Sequence, residues 1–306
     1  MHSESITVEE FLGPLKMIAR RCNILKLLPT RPLLVFCVGL SGCHYFSTES
    51  QINYGLNHYN MGLYGHAIPA LVSAAESLEG KNPLDPRLVD VLVALGSMAM
   101  SEKRNDLATD FYLRGLKAAE ALQPIDNMRL RNSLVNLGMF YSYNDRAKDS
   151  LPVLQRAASI SKNFDDQTFY AIDLDNLAFA HQNLKQYLEA SELQLKALNV
   201  VTELTTGQFR LRTKGTILHN LGRSFVEIGR HQEAEASFKE SIAILTMDQR
   251  EVEPWRIRTA KKSYADLLRR MGREKEAKDL ESQIEAPVLL QSAPIDDPRP
   301  AVPGRG

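Results

Sequence analysis

Between Thr48 and Gln291 the chain repeats one pattern of apolar and polar positions six times, at a spacing of 40 to 44 residues. The first helix of each unit carries a large residue followed by a small one: Tyr54-Gly55, Leu95-Gly96, Leu137-Gly138, Leu177-Ala178, Leu221-Gly222 and Tyr264-Ala265. A second small residue follows the first by twelve positions, at Ala67, Ala108, Ser150, Ala190, Ala234 and Ala277. The fifth unit shows the local period best. Leu218, Leu221, Phe225 and Ile228 recur at spacings of three and four, which places them on one face of a helix. Gly229 then supplies a positive φ at no steric cost and ends that helix, and Gly62 and Gly272 stand at the same register in the first and last units. Each unit is therefore a pair of helices, brought close by small residues at two marked sites. A larger side chain there would cost about 1 to 3 kcal/mol through overpacking. The prediction is an all-α chain that stacks six helix pairs into a surface.

These units resemble the tetratricopeptide repeat, in its variety of about 42 residues found in kinesin light chains and many bacterial proteins. The matching residues include Leu134-x-x-Leu137-Gly138-x-x-Tyr141, Leu174-x-x-Leu177-Ala178-x-x-His181, Leu218-x-x-Leu221-Gly222-x-x-Phe225 and Glu233-Ala234-Glu235-Ala236-x-Phe238. Gln194 in the fourth unit and Glu281 in the sixth replace the usual aromatic of the second helix. The resemblance implies a right-handed α-solenoid over residues 48–285, with repeats starting near 48, 89, 131, 171, 215 and 258 and a concave inner face. A polar last helix suits the end of such a stack, where nothing packs beyond it. Trp255 is expected to cap the sixth repeat against the fifth. From residue 286 to 306 the composition turns proline-rich, which reads as a disordered tail.

The amino-terminal segment has a different pattern. Cys22, Cys37 and Cys43 all lie in it, so the repeats contain no thiol for a disulfide framework or a zinc site. Residues 17–42 hold four basic groups, Arg20, Arg21, Lys26 and Arg31, no acid, and an apolar run that ends in small residues, which is how a secretory signal reads. The unbroken apolar part, residues 32–42, is shorter than the ~20 residues a helical membrane span requires. Leu40-Ser41-Gly42-Cys43 resembles the lipobox of bacterial lipoproteins, which implies cleavage before Cys43 and acylation of its thiol and new amino terminus. Residues 43–47 would then be a lipidated tether. Residues 1–16 carry three acids, unlike the head of such a signal, and read as a misassigned start with translation beginning at Met17. A mitochondrial presequence, a twin-arginine signal at Arg20-Arg21 and a buried apolar segment are the other readings. His44 after the cysteine, in place of the aspartate that retains enterobacterial lipoproteins in the inner membrane, favours by that resemblance the outer membrane facing the periplasm.

Charge and chemistry narrow the function. The chain has 37 basic and 37 acidic residues, so it offers no net positive field for nucleic acid. Its seven histidines form no His-x-x-x-His pair, and no Gly-rich phosphate loop or Gly-x-Ser-x-Gly elbow is present. The expectation is a non-enzymatic scaffold or adaptor with no cofactor, no metal and no small-molecule substrate. Its partners would be a protein or peptide and, through the lipid anchor, a membrane. By resemblance, the inner helix meets a ligand at the position before the large–small pair and one turn either side. Asn136, Asn176 and Asn220 occupy that position. An amide ladder can hold an extended backbone through paired donors and acceptors, or it can bridge adjacent repeats. Tyr143, Phe179, Asn183, Arg223, Lys262 and Arg269 fall on the same predicted face, giving a groove apolar in the middle and basic toward the carboxyl end. Architecture of this kind implies a role in assembling a secretion, pilus or outer-membrane complex. The alternative is a soluble cytoplasmic or organellar peptide-binding adaptor without an anchor.

Overall fold

The computed structural model describes residues 47–203, 208–247 and 254–285. The lipobox residues Leu40, Ser41 and Gly42, the lipidation candidate Cys43 and the proline-rich tail lie outside the described residues. Twelve helices and no strand occur among the described residues. In chain order they are α1 (Thr48–Asn60), α2 (Tyr64–Lys81), α3 (Pro86–Ser101), α4 (Asn105–Ala121), α5 (Asn127–Tyr143), α6 (Ala147–Ser161), α7 (Thr168–Asn183), α8 (Tyr187–Glu203), α9 (Gln208–Glu227), α10 (His231–Met247), α11 (Pro254–Arg270) and α12 (Glu274–Glu285). The expected all-α solenoid of six pairs is what forms.

Local chemistry sets the helix ends. Asp85 Oδ1 accepts from the Arg87 N–H at 2.9 Å, and Pro86 occupies the first turn, where a missing N–H costs nothing. Asp126 Oδ1 caps α5 in the same way, accepting from the Arg129 N–H at 3.0 Å. These caps start the first helices of repeats 2 and 3 ahead of the starts read from the large–small register. Every first helix also closes alike: the N–H of Leu63, Arg104, Arg146, Gln186, Arg230 and Arg273 bonds the carbonyl five residues back, at 2.8 to 2.9 Å. The residue before each has positive φ, between 58° and 78°. This left-handed cap is glycine at Gly62, Gly229 and Gly272, and a side-chain-bearing residue at Lys103, Asp145 and Lys185.

All twelve marked small residues are buried. Their role is visible as a contact: a methyl group on Gly55, Gly96, Gly138 or Gly222 would come within 2.5 to 2.7 Å of Leu71, Tyr112, Leu154 or Phe238. Each contacted residue lies four positions after the second small residue of its repeat, one turn further along the partner helix. Ser150 is tolerated among alanines because its hydroxyl bonds Ser142 Oγ at 2.7 Å. Trp255 departs from expectation: it is 53% exposed, with the Arg256 guanidinium 4.6 Å from its ring centroid, so it does not cap the fifth repeat.

Beyond pairing within repeats, α1, α3, α5, α7, α9 and α11 each touch the next of their kind, while no two of α2, α4, α6, α8, α10 and α12 touch. The first helices therefore lie on the shorter, inner arc, and their outward-facing side chains form the concave face.

Candidate functional site

The concave face changes character along its length. Near its middle the ring of Tyr143, at the end of α5, lies 5.3 Å from that of Phe179 on α7. Tyr143 is 62% exposed, so the pair presents an accessible aromatic edge. Next to it, α7, α9 and α11 enclose a groove of about 390 Å³. Asn183, Arg223, Ser263 and Arg270 supply donors there, and Glu227 and Asp266 supply acceptors.

The three asparagines of the predicted ladder have three different roles. Asn136 donates to the carbonyl of Asn132 in its own helix at 2.8 Å. Asn176 is half-buried with no side-chain hydrogen bond among the described residues. Asn220 donates to Asp175 Oδ2 at 2.8 Å and so bridges repeats 4 and 5. Asn183 also bridges, giving its Nδ2 to the Ser142 carbonyl at 2.7 Å.

At the carboxyl end the predicted basic face is largely neutralised. Arg270 pairs with Glu227 at 3.1 Å. Arg269 turns toward its own repeat, where Asp266 at 3.3 Å, Glu274 at 3.6 Å and Glu281 hold it. Glu281 thus answers Arg269 in the position where repeats 1, 2, 3 and 5 carry Leu71, Tyr112, Leu154 and Phe238. Arg223 and Lys262 stay exposed with no acid within ion-pair distance among the described residues. The bases therefore alternate with acids rather than forming one cationic strip.

Sequence reasoning missed what lies beneath the groove. Gln194, flagged only as a departure from pattern, is fully buried and accepts from Ser224 Oγ at 2.7 Å. Ser224 Oγ in turn accepts from Gln182 Nε2 at 2.7 Å, and Gln194 Nε2 lies 3.4 Å from Asp175 Oδ1. A polar network thus crosses the joint between repeats 4 and 5. Burial pushes the Asp175 carboxyl up to about 6, against the lowering effect of its bonds to Asn220 and Gln194. His219, next to Asn220 on α9, is pushed down to about 4 by burial and secondarily by Arg223, and its Nε2 lies 3.0 Å from Ser263 Oγ. Both shifts stem from burial at a joint between repeats. Among the described residues no cluster of three His, Cys, Asp or Glu could hold a metal, and no helix is long and apolar enough to cross a membrane.

Residues 169–247 match the tetratricopeptide-repeat family model. No curated protein matches the chain. Among solved structures, BtubC (BKLC) from P. vanneervenii is similar over 78% of this chain and 89% of its own, with a TM-score of 0.59 at 17% identity. A putative kinesin light chain with nearly identical TPR-like repeats from Podosopora anserina aligns over 69% of this chain and all of its own, at a TM-score of 0.55 and 16% identity. PilW, a type IV pilus biogenesis factor, aligns over 78% of this chain and 93% of its own, at 0.57 and 15% identity. At such identities the likeness is one of fold.

Proposed function

We propose that this chain, a tetratricopeptide-repeat protein, is a non-enzymatic scaffold of the bacterial envelope, anchored by lipid on Cys43, that holds an extended protein segment in its concave groove. The carrying observation is the concave face itself. The exposed Tyr143–Phe179 pair adjoins a groove in which Arg223 is uncommitted to any acid. An aromatic anchor beside the exposed Arg223 guanidinium suits a peptide whose apolar side chain meets the rings while its carbonyl or carboxylate groups meet Arg223. With Cys43 only five positions before Thr48, a lipid there would hold the first repeat next to the membrane surface. The distance from that tether leaves repeats 4 to 6 to face a partner. A role in assembling a secretion, pilus or outer-membrane complex fits a surface-forming protein so placed, and the fold likeness to PilW supports it at the level of architecture.

The test is expression of the full-length chain and its Cys43→Ala variant in a bacterium with labelled palmitate and membrane fractionation. Label and outer-membrane sedimentation of the wild type alone support the anchored scaffold. If neither takes up label and both remain soluble, the chain is an unanchored adaptor. Periplasmic photo-cross-linking from position 266, on the groove wall, then tests the groove, and a partner captured equally well when Phe179→Ala and Arg223→Ala are added would argue against it.

A further inference from the structure

The outer side of repeat 4 departs from its neighbours at three linked positions. In repeat 3 the Tyr141 ring is buried, and the Arg146 guanidinium lies 4.1 Å from its centroid. Asp149 holds that guanidinium at 2.7 Å. Repeat 5 carries the same clasp, with the Arg230 guanidinium 4.4 Å from the buried ring of Phe225 and paired with Glu233. Repeat 4 places His181, Gln186 and Glu189 at these positions. There a smaller imidazole replaces the ring, and its Nδ1 shares a 2.8 Å hydrogen bond with Gln186 Oε1. No guanidinium is left for Glu189, which makes no ion pair among the described residues.

The consequence is a groove of about 530 Å³ between α6 and α8, floored by Leu151, Leu177 and Leu193 and rimmed by His181, Glu189 and Glu192. The ammonium of Lys196 at the same rim lies 5.6 Å from the Tyr170 ring, committed to its own repeat. Because α6 and α8 lie on the outer arc, this groove is separate from the concave one. Its apolar floor suits a ring, and its uncommitted carboxylates suit a cation next to that ring.

We infer that this outer groove docks a partner-protein segment bearing an aromatic side chain beside an arginine. The segment supplies in trans the ring and guanidinium that repeats 3 and 5 supply in cis. The aromatic residue enters between Leu151 and Leu193, and the arginine pairs with Glu189.

The probe is the dipeptide acetyl-Tyr-Arg-amide, added to the full-length chain with its leucine methyl groups isotopically labelled. Saturable shifts centred on Leu151, Leu177 and Leu193 are expected in the millimolar range typical of so small a ligand. Glu189→Gln should weaken binding about fivefold by removing a charge-assisted bond. The double variant His181→Tyr, Gln186→Arg rebuilds the clasp in cis, so it should melt no lower than wild type while binding the probe at least about tenfold more weakly. No saturable shift in the wild type, or equal binding by a folded double variant, overturns the inference. A wild-type dimer in sedimentation that the double variant abolishes would also overturn it, assigning the groove to a second copy. Variants at Phe179 and Arg223 should leave probe binding unchanged, so the two grooves are tested independently.

Discussion

The Asp175 carboxylate on α7 accepts a 2.8 Å hydrogen bond from Nδ2 of Asn220 on α9, beneath the concave surface and one residue from His219. The two titratable groups at this joint oppose each other in their effect on stability. Asp175 rises from an ordinary 3.8 to about 6, so between those values the folded chain keeps a proton that the unfolded chain releases. Its contribution to stability therefore falls as pH rises from 3.8 to 6. His219 drops from 6.5 to about 4, so over that range the unfolded chain binds a proton that the folded chain refuses. Its contribution rises with pH from 4 to 6.5, and across pH 4 to 6 the two nearly cancel. Asp175→Asn should expose the rising limb, and His219→Gln the falling one. Each should appear as a drift of about 1 to 3 kcal/mol relative to wild type in urea melts taken at half-unit pH steps. Difference curves that stay flat for both variants would contradict the opposing shifts.

The left-handed caps make a sharper prediction about backbone strain. Lys103, Asp145 and Lys185 hold φ near 59°, a region that costs a side-chain-bearing residue about 1 kcal/mol relative to glycine. Lys103→Gly and Lys185→Gly should each stabilise the chain by about 0.5 to 1 kcal/mol. Gly229→Ala should destabilise it comparably, although nothing stands within 4 Å of the added methyl, so sterics cannot account for that loss. Thermal melts of the three variants decide the matter, and a Lys185→Gly chain that melts below wild type would count against the strain.

Packing between paired helices gives a third expectation. A methyl on Gly138 meets Leu154 Cδ2 and Cγ at 2.6 Å, and Leu154 is fully buried with little room to yield. Gly138→Ala should therefore cost about 1 to 3 kcal/mol despite the roughly 1 kcal/mol gained in helix propensity. Adding Leu154→Val should recover part of the loss by removing the contacted Cδ2 methyl. If the single substitution is stabilising in chemical denaturation, close approach is not what the small residues of the repeat provide.

The fold was legible because its signal is redundant. Six copies of a large–small pair and a second small residue twelve positions on define helix pairing several times over, and Gly55, Gly96, Gly138 and Gly222 all meet the residue that the spacing brings beneath them. The site was legible only in part, because a side chain's register states its face but not its partner. Asn136, Asn176 and Asn220 share one register, yet only Asn220 reaches Asp175 across a joint. Arg269 and Arg270 are adjacent, and their acids lie on different helices, α12 for one and α9 for the other. Glycine signalled three of the six left-handed caps, whereas Lys103, Asp145 and Lys185 carry no local mark of their conformation. The polar joint was visible as Gln194 alone, since its meaning depends on Ser224 and Asp175 arriving from α9 and α7.

A buried ion pair distinguishes the joint between repeats 3 and 4. The Arg131 guanidinium on α5 grips the Asp173 carboxylate on α7 with two hydrogen bonds, one of 2.9 Å from Nε, and both residues are buried. The same guanidinium lies 5.2 Å from the centroid of Phe169, which shields the pair further. Burial raises the Asp173 carboxyl against the lowering pull of Arg131, so desolvation costs much of what the charge attraction contributes. Removing one partner leaves the other charged in an apolar joint. Arg131→Ala and Asp173→Ala should each destabilise the chain by about 3 to 5 kcal/mol. Replacing both, as in Arg131→Met with Asp173→Leu, should restore most of that stability, because no charge then remains to be desolvated. A double variant as weak as either single one would instead mean that the ion pair itself supplies net stability at this joint, and chemical denaturation of the four chains distinguishes the two cases.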